Sequence, residues 1–531
     1  MLRFVFVVGM VCASVVNANE VEQVWAYEAP AGYVDASPAL GDLDGDGKMD
    51  IVVGTTAGII AAITSDAKEI WHQEMRGPIC VAPSIGDIAS SSGLEVLAMN
   101  QQGEIVCFAG SSGDLLWTAT LPNKLYWGET TLALGDVTGD GNLEIVTGDG
   151  SGTVICLNGD GETLWLYKGD HGMTLSPVIV DLTGDGVQSI LVGGDKIPLV
   201  CLSAAGKELW RSESGIGSSS LVYDLDGDSV PEILVGVDEN FTVRDNTGKI
   251  LWTYVMQREM DSAITVADAD ANGEVEIYVV DLAGTLVCLS PEGQLRWSAD
   301  VVDRVRRSPS VGDVNGDGIQ EILVVGYSNF LYAFDPDGGL KASIPISGGV
   351  NSTATLIPMA DGVPGVILPV SNGIMSLFRW SEAQPNVPLL WPEYRFSARR
   401  SGNPQASAMS PPVEIELDVD TMYAGANFLK AAIQNPEGRL VEVRLESVRN
   451  AGVPFVVSIT SSEKFIEHQL SYTVPSNQAI NLTLSCTVLE NNRILAKRNH
   501  TAYLPPFMKE LGDASRAAAE TEALLPRLLD K

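Results

Sequence analysis

The stretch Asp42-Leu-Asp44-Gly-Asp46-Gly47-Lys-Met-Asp50-Ile-Val-Val-Gly54 alternates acids with small residues, then runs straight into β-branched side chains. Its first nine residues read Asp-x-Asp/Asn-x-Asp-Gly-x-x-Asp/Glu. The same pattern returns as Asp136-Val-Thr138-Gly-Asp140-Gly141-Asn-Leu-Glu144, and further copies start at Asp181, Asp224, Asp268 and Asp313. A worn copy starts at Asp87 and a nearly erased one surrounds Asp361. Oxygen side chains at alternate positions of a tight loop are what a hard divalent cation needs. Calcium takes about six to eight oxygens, and a glycine lets the loop turn sharply around it. Six good copies at a spacing of about 45 residues make this a repeat protein, to be read repeat by repeat.

The spacing excludes an EF-hand, whose loop runs about twelve residues, ends in a bidentate Glu and lies between helices. Here the last acid stands at the ninth position. Directly after it come Ile51-Val-Val-Gly54, Ile145-Val-Thr-Gly148, Ile233-Leu-Val-Gly236 or Ile322-Leu-Val-Val. Short β-branched and aliphatic runs of this kind read as strands. The acidic loop therefore joins two strands.

The third copy shows the whole unit: Leu132–Asp136, the acidic loop, Glu144–Gly148, a turn, Gly152–Leu157, a turn with Gly159 and Gly161, then Thr163-Leu-Trp165. Four short strands in about 40 residues is the period of a β-propeller blade. Most units close on a tryptophan: Trp71, Trp117, Trp165, Trp210, Trp252 and Trp297. Such rings are core residues that fill the wedge between blades. The expected fold is all-β, an eight-bladed propeller over residues 19–390, with seven blades plus an irregular segment as the alternative. Units begin near residues 36, 81, 129, 175, 218, 262, 307 and 352. The eighth has strands around 353–359, 366–370 and 373–378 but no fourth. Glu22-Gln-Val-Trp25-Ala-Tyr27 matches Lys68-Glu-Ile-Trp71 and supplies it. A ring closed by both ends of the domain leaves no open edge.

The expected ligands are Asp42, Asp44, Asp46 and Asp50 in the first loop, and Asp136, Thr138, Asp140 and Glu144 in the next. Asp181 and Asp185 come after these, then Asp224, Asp226, Asp228 and Glu232, then Asp268, Asp270, Asn272 and Glu276, then Asp313, Asn315, Asp317 and Glu321. About five to six calcium ions are expected, as structural ions, because fewer ligand charges mean weaker binding. The Asp42 loop, with four carboxylates, should be tightest. The Asp181 loop, with Thr183 and Ser189 in place of acids, should be weak, and the Asp87 copy empty.

The acidic loops followed by Ile-Val-Val-Gly resemble FG-GAP and VCBS-type repeats, as in integrin α-subunit propellers and related repeats of bacterial surface proteins. The Gly-x-x-Leu-Trp endings resemble those of quinoprotein-like propellers. The resemblance covers about residues 22–400. It implies cations in loops on one face of the propeller and ligand binding on the other.

Residues 1–18 read as a secretory signal: Arg3, an apolar run from Phe4 to Val16, and a small-residue cleavage site near Ala18. That run is too short for a membrane span, and no later segment is apolar enough for one. The expected location is secreted, periplasmic or cell-surface. A formal charge of −35 excludes general attraction to nucleic acid. Cys107, Cys156, Cys201 and Cys288 fall at one third-strand position, where other blades have Ala62, Val243 and Ala333. Equivalent points on different blades lie too far apart for a disulfide, so these read as small core residues. Cys80 has no evident role.

Composition changes after Trp391. Residues 391–412 read as a strap and linker. Residues 413–504 alternate in about seven strands and suggest an immunoglobulin- or fibronectin-like sandwich, though the lone Cys486 rules out its usual disulfide. Residues 505–531 turn Ala/Glu/Leu-rich and read as a helical tail.

The four histidines, His72, His171, His468 and His500, show no cluster suited to zinc or a Ser-His-Asp triad. The adjacent cysteine pair of quinoprotein dehydrogenases is missing. The chain is therefore read as a binding or adhesion module for protein or glycan, not an enzyme. The alternative is a carbohydrate-active enzyme such as a calcium-dependent polysaccharide lyase. Blade alignment puts Asp35, Glu129, Asp261 and Arg306 at one position before the inner strand. Their neighbours include Tyr33, Tyr126, Trp127, His171, Arg258, Arg304 and Arg307. Exposed aromatics among mixed charges suit a sugar or a peptide; equally, these residues could cap the channel through mutual ion pairs. The sequence leaves the oligomeric state open.

Overall fold

The computed structural model describes residues 21–381, apart from 89–92, 126–129, 170–171, 173–174, 195, 229, 261, 302, 328, 347, 351, 360, 362 and 371–372, together with the strands between 414 and 504. The expected signal, linker and helical tail lie outside the described residues. The chain divides into two compact units, Met1–Ser407 and Ala408–Lys531.

The first unit is a ring of eight four-stranded antiparallel sheets. In the first blade the strands are Ala39–Gly41, Asp50–Gly54, Ile59–Ile63 and Glu69–Glu74, hydrogen-bonded in that order. Later blades repeat it with inner strands at Ser84–Gly86, Ala133–Gly135, Val178–Val180, Leu221–Tyr223, Thr265–Ala267, Ser310–Gly312 and Thr355–Pro358. The burial of each strand results from its place. Second and third strands have a neighbouring blade on both faces, so Asp50–Gly54 and Ile59–Ile63 are buried at every residue. That is why they read as unbroken aliphatic runs. Fourth strands are outer edges and shield alternate residues only in part, as in Thr163–Lys168, where Trp165 and Tyr167 are half-buried.

The eighth blade is built from both ends of the domain. Val21–Glu28 pairs antiparallel with Ile374–Trp380, in a register that sets Trp25 opposite Leu377 and Tyr27 opposite Met375. Eight blades are thus present, and the orphan strand is the latch. Bonds outside and inside also close the ring against the first blade, the Tyr27 hydroxyl donating to Glu69 among them. Outside, Trp25 Nε1 donates to the Ser65 carbonyl at 2.9 Å. Inside, the Thr353 amide donates to Ser37 Oγ at 3.1 Å.

Neighbouring blades are joined by the same two devices. Ser84 Oγ donates to the Leu132 carbonyl at 2.7 Å and Thr265 Oγ1 to the Pro309 carbonyl at 2.7 Å. The closing indoles donate across the wedge: Trp71 to Gly110, Trp117 to Gly159, Trp165 to Ala204 and Trp297 to Pro336, at 2.6–2.8 Å. Each ring lies on the turn between strands three and four of the next blade. A Cβ at Gly161 would stand 2.6 Å from the Trp117 ring, and the left-handed φ of +80° there also favours glycine. Blade one puts Ala67 at this turn, with φ +62°, in the cluster that holds Trp25.

Blade seven carries Ala342 where the others have tryptophan, and the reason is local. The blade it faces has no such turn, because its third and fourth strands come from opposite ends of the domain. Trp380 fills the space instead, in one buried cluster with Ala342 and Ile344. The four third-strand cysteines are buried and free, each paired across the sheet with a closing tryptophan, as in Cys107–Trp117 and Cys288–Trp297.

Among the described residues, the second unit has seven strands in two antiparallel sheets. Glu414–Val419, Gly425–Gln434 and Phe465–Val474 form one in that order. Val456–Ser461, Val441–Arg449, Ile480–Glu490 and Arg493–Leu504 form the other.

Candidate metal centres and the opposite face

Because the strands are antiparallel, the loops between strands one and two share one end of the blades with the turns between strands three and four. The acidic loops sit at this end. Each is held by its own side chains in one repeated pattern. The first acid accepts two backbone amides: Asp42 takes Gly45 and Gly47 at 2.9 Å, Asp136 takes Gly139 at 2.7 Å and Gly141 at 3.0 Å, Asp181 takes Gly184 at 2.8 Å and Gly186 at 2.7 Å, and Asp313 takes Gly316 at 2.6 Å and Gly318 at 2.9 Å. The fifth residue accepts the amide two places on, as Asp140 does from Asn142, Asp185 from Val187 and Asp228 from Val230. The ninth reaches back to the second: Asp50 accepts the Leu43 amide at 3.1 Å, Glu144 that of Val137 at 2.8 Å and Glu232 that of Leu225 at 2.9 Å.

This pattern divides the expected ligands. Asp42, Asp44 and Asp50 bring carboxylate oxygens within 4.8 Å of one another, as do Asp224, Asp226 and Glu232, and Asp268, Asp270 and Glu276. Positions one, three and nine converge. Position five caps the next turn instead, and Asp46 also holds the Lys48 ammonium at 2.6 Å. Three carboxylates and the loop's carbonyls are a donor set that suits a hard, oxygen-loving cation. The Asp181 loop, with Thr183 and the buried Ser189 at positions three and nine, offers less charge.

Gathering acids in a half-dry loop is costly without a counter-charge. Burial, reinforced by Asp44, Asp46 and Asp42, pushes Asp50 up to about 6 against the pull of the Leu43 amide. Burial likewise pushes Glu232 to about 7, and raises Glu144 and Glu276. The worn second blade separates the two roles of position nine. Glu95 is fully buried and accepts the Ile88 amide at 2.7 Å although that loop has Ala89 and Ser91 in place of the acids at positions three and five. The ninth acid thus serves the backbone in every such blade.

The opposite end carries the turns between strands two and three and the loops that run from one blade to the next. Buried side chains that the sequence reading missed pin the two together. Asn100 Oδ1 accepts the Gln102 and Glu104 amides, and its Nδ2 donates to the Arg76 carbonyl at 3.0 Å. Asp149 accepts the Ser151 and Thr153 amides on one oxygen and Asn123 Nδ2 on the other at 3.0 Å. Asp281 accepts the Ala283 and Thr285 amides and, from the connecting loop, the Arg258 amide at 3.0 Å. The shared signal is a polar residue directly after the second strand. Of the expected ligand-binding residues, Tyr126, Trp127, Glu129, His171 and Asp261 lie outside the described residues. Tyr33 is exposed and exchanges backbone and side-chain hydrogen bonds with Thr56. Arg258, Arg304 and Arg306 are exposed. Asp35 lies near the half-buried Cys80, whose thiol is pushed up to about 11 by burial and then by that carboxylate.

A family model described as outer membrane protein assembly factor BamB matches residues 56–188 and 151–356, together more than half of the chain. The chain belongs to this family. A second model, the FG-GAP repeat, matches residues 35–66 and so takes in the first acidic loop. The family is described by an assembly factor and the repeat by its motif, neither by a catalytic activity. No curated protein matches. Among solved structures, BamB from Moraxella catarrhalis is 15% identical and covers 68% of this chain and 99% of its own, with a TM-score of 0.49. BBS1N, solved in complex with ARL6DN, is 10% identical and covers 68% and 97%, with a TM-score of 0.44. Among the described residues, no helix is long and apolar enough to cross a membrane.

Proposed function

We propose that the protein is an exported, non-catalytic scaffold that binds another protein through the loop face opposite its acidic loops, and that calcium held in those loops stiffens the ring. The observation that carries this reading is the division of labour between the two ends of the blades. One end gathers carboxylates that need a cation. The other end has connecting loops pinned by the buried Asn100, Asp149 and Asp281, and displays Tyr33, Arg258, Arg304 and Arg306. Tyr and Arg are the residue types enriched at protein interfaces, and loops on a rigid scaffold are where binding residues concentrate. Membership of a family described by an assembly factor supports a protein rather than a glycan as ligand. The signal-like residues 1–18 and the calcium loops support an exported location. The second unit is read as a β-sandwich spacer.

Photo-crosslinking side chains placed at Tyr33 and Arg304, with Ile319 on the acidic end as control, test the reading in calcium buffer. Protein adducts specific to the first two positions are expected. Adducts at Ile319 alone would move the protein-binding surface to the acidic end, and a glycan-array or polysaccharide-cleavage hit with no protein adduct would replace the reading with a carbohydrate one.

A further inference from the structure

We infer that in blade seven the chain supplies its own cation: the Lys341 ammonium neutralises the ninth-position carboxylate that, in blades one and five, converges with the first and third towards a divalent ion. The inference rests on reading those loops as calcium sites.

The residue just before the closing position of each fourth strand is Ile70, Leu116, Leu164, Leu209 and Leu251 in blades one to five. In blade six it is Arg296 and in blade seven Lys341. This position stands at the same end of the blade as the acidic loop. The Lys341 ammonium lies 2.8 Å from Asp317 Oδ2, 2.7 Å from Glu321 Oε1 and 3.2 Å from Asp335 Oδ1. Asp317 and Glu321 are the fifth and ninth residues of the loop, both among its expected ligands. The Glu321 side chain is 1% exposed, so its charge must be met from within the protein.

Both oxygens of Glu321 are also engaged. Oε1 accepts Lys341 Nζ and, at 2.7 Å, Asn315 Nδ2. Oε2 accepts the Val314 amide at 3.0 Å. A carboxylate oxygen has two lone pairs. On Oε1 both are filled by donors that would have to leave before an ion could enter. Asn315, at position three, turns its amide nitrogen rather than an oxygen towards the site. The donor set that fits a hard cation in blades one and five is therefore absent from blade seven. Blade six stands between the two cases. Arg296 reaches Glu276 and, at 3.1 Å, Glu274, yet lies 3.8 Å from Asp270, and the three convergent carboxylates remain together.

Calorimetric titration of the full chain with calcium, paired with thermal melts in EDTA and in calcium, separates the possibilities. Asp42→Asn in blade one should lower the stoichiometry by one site. Asp313→Asn, at the same loop position in blade seven, should leave it unchanged. Lys341→Leu, which copies Leu251 of blade five, should add one site, melt below wild type in EDTA and recover in calcium. Loss of a site in Asp313→Asn, or a folded Lys341→Leu that gains none, overturns the inference while leaving the calcium reading intact. If Lys341→Leu does not fold, the comparison of Asp42→Asn with Asp313→Asn decides alone. A wild-type protein that takes up no calcium removes the calcium reading, and this inference with it.

Discussion

Truncating Trp25 to alanine should cost the propeller about 3 kcal/mol. Val21–Glu28 is the only strand of its blade that comes from the other end of the domain, and Trp25, with Tyr27, links it to blade one. A fully buried Trp→Ala change costs about 3–5 kcal/mol. Trp25 is half-buried, which brings that share to about 2 kcal/mol. Losing the bond to the Ser65 carbonyl adds about 1 kcal/mol. Trp71 does the same work one blade on but is only 7% exposed, so Trp71→Ala should cost more, about 4–5 kcal/mol. Trp25→Phe keeps most of the packing and loses the donor, and should cost about 1 kcal/mol. Urea unfolding in calcium, followed by circular dichroism, measures all three. Deleting residues 19–30 should go further, because the Ile374–Trp380 edge is left unpaired and open to association. Deleting 505–531 should leave the propeller's melting unchanged. The reasoning is refuted if Trp25→Ala keeps the wild-type midpoint, or if the 19–30 deletion stays monomeric and melts like the parent.

Chelation should lower the melting temperature markedly, since each site held at a hundredfold excess over Kd contributes about 2.7 kcal/mol; an EDTA melt that coincides with the calcium melt would mean the loops bind no calcium. In EDTA the protein should melt higher at pH 5 than at pH 8. The folded state raises Asp50 to about 6 and Glu232 to about 7, so it binds protons more tightly than the unfolded chain, and that stability is lost as pH rises from about 4 to about 7. Calcium should shrink the difference, and an EDTA melting temperature that climbs over this range would reverse the sign. Gly161→Ala should destabilise by about 1–3 kcal/mol, from the left-handed backbone and the collision with Trp117; an unchanged urea midpoint would show that the wedge can yield. Among the metal loops, site-resolved titration should find the Asp42 loop tightest and the Asp181 loop weakest, and the opposite order would separate affinity from carboxylate count.

The blade count was legible because it rests on two periodic signals, the nine-residue loop and the closing tryptophan. Burial on both faces then writes the middle strands as aliphatic runs. The latch was legible because Trp25 and Tyr27 repeat the Trp71 strand. What the sequence hid depends on which lone pair faces which donor. The first, fifth and ninth loop residues look alike as acids, yet only the first, third and ninth converge in blades one, five and six. Lys341 stands 20 residues beyond Glu321 and meets it only because the fourth strand returns to the end where the loop lies. Asn100, Asp149 and Asp281 went unread because one polar residue after a strand is too small a signal alone. Ala342 breaks the tryptophan rule for a reason found only in the blade beyond it.

Closure through the first strand also sets an order of events during synthesis. Ribosomes add roughly 5–20 residues per second, so the partner strand at 374–380 emerges after Val21–Glu28 by roughly 20 to 70 seconds. All that time Val21–Glu28 lacks its partner strand, while blades one to seven can assemble behind it. A product cut short before residue 374 therefore stays an open arc with an unsatisfied edge, however well its individual sheets have formed. The finished circle certifies translation as far as residue 380, and a protease or chaperone that recognises free β-edges would sort completed propellers from shorter fragments without reading anything else.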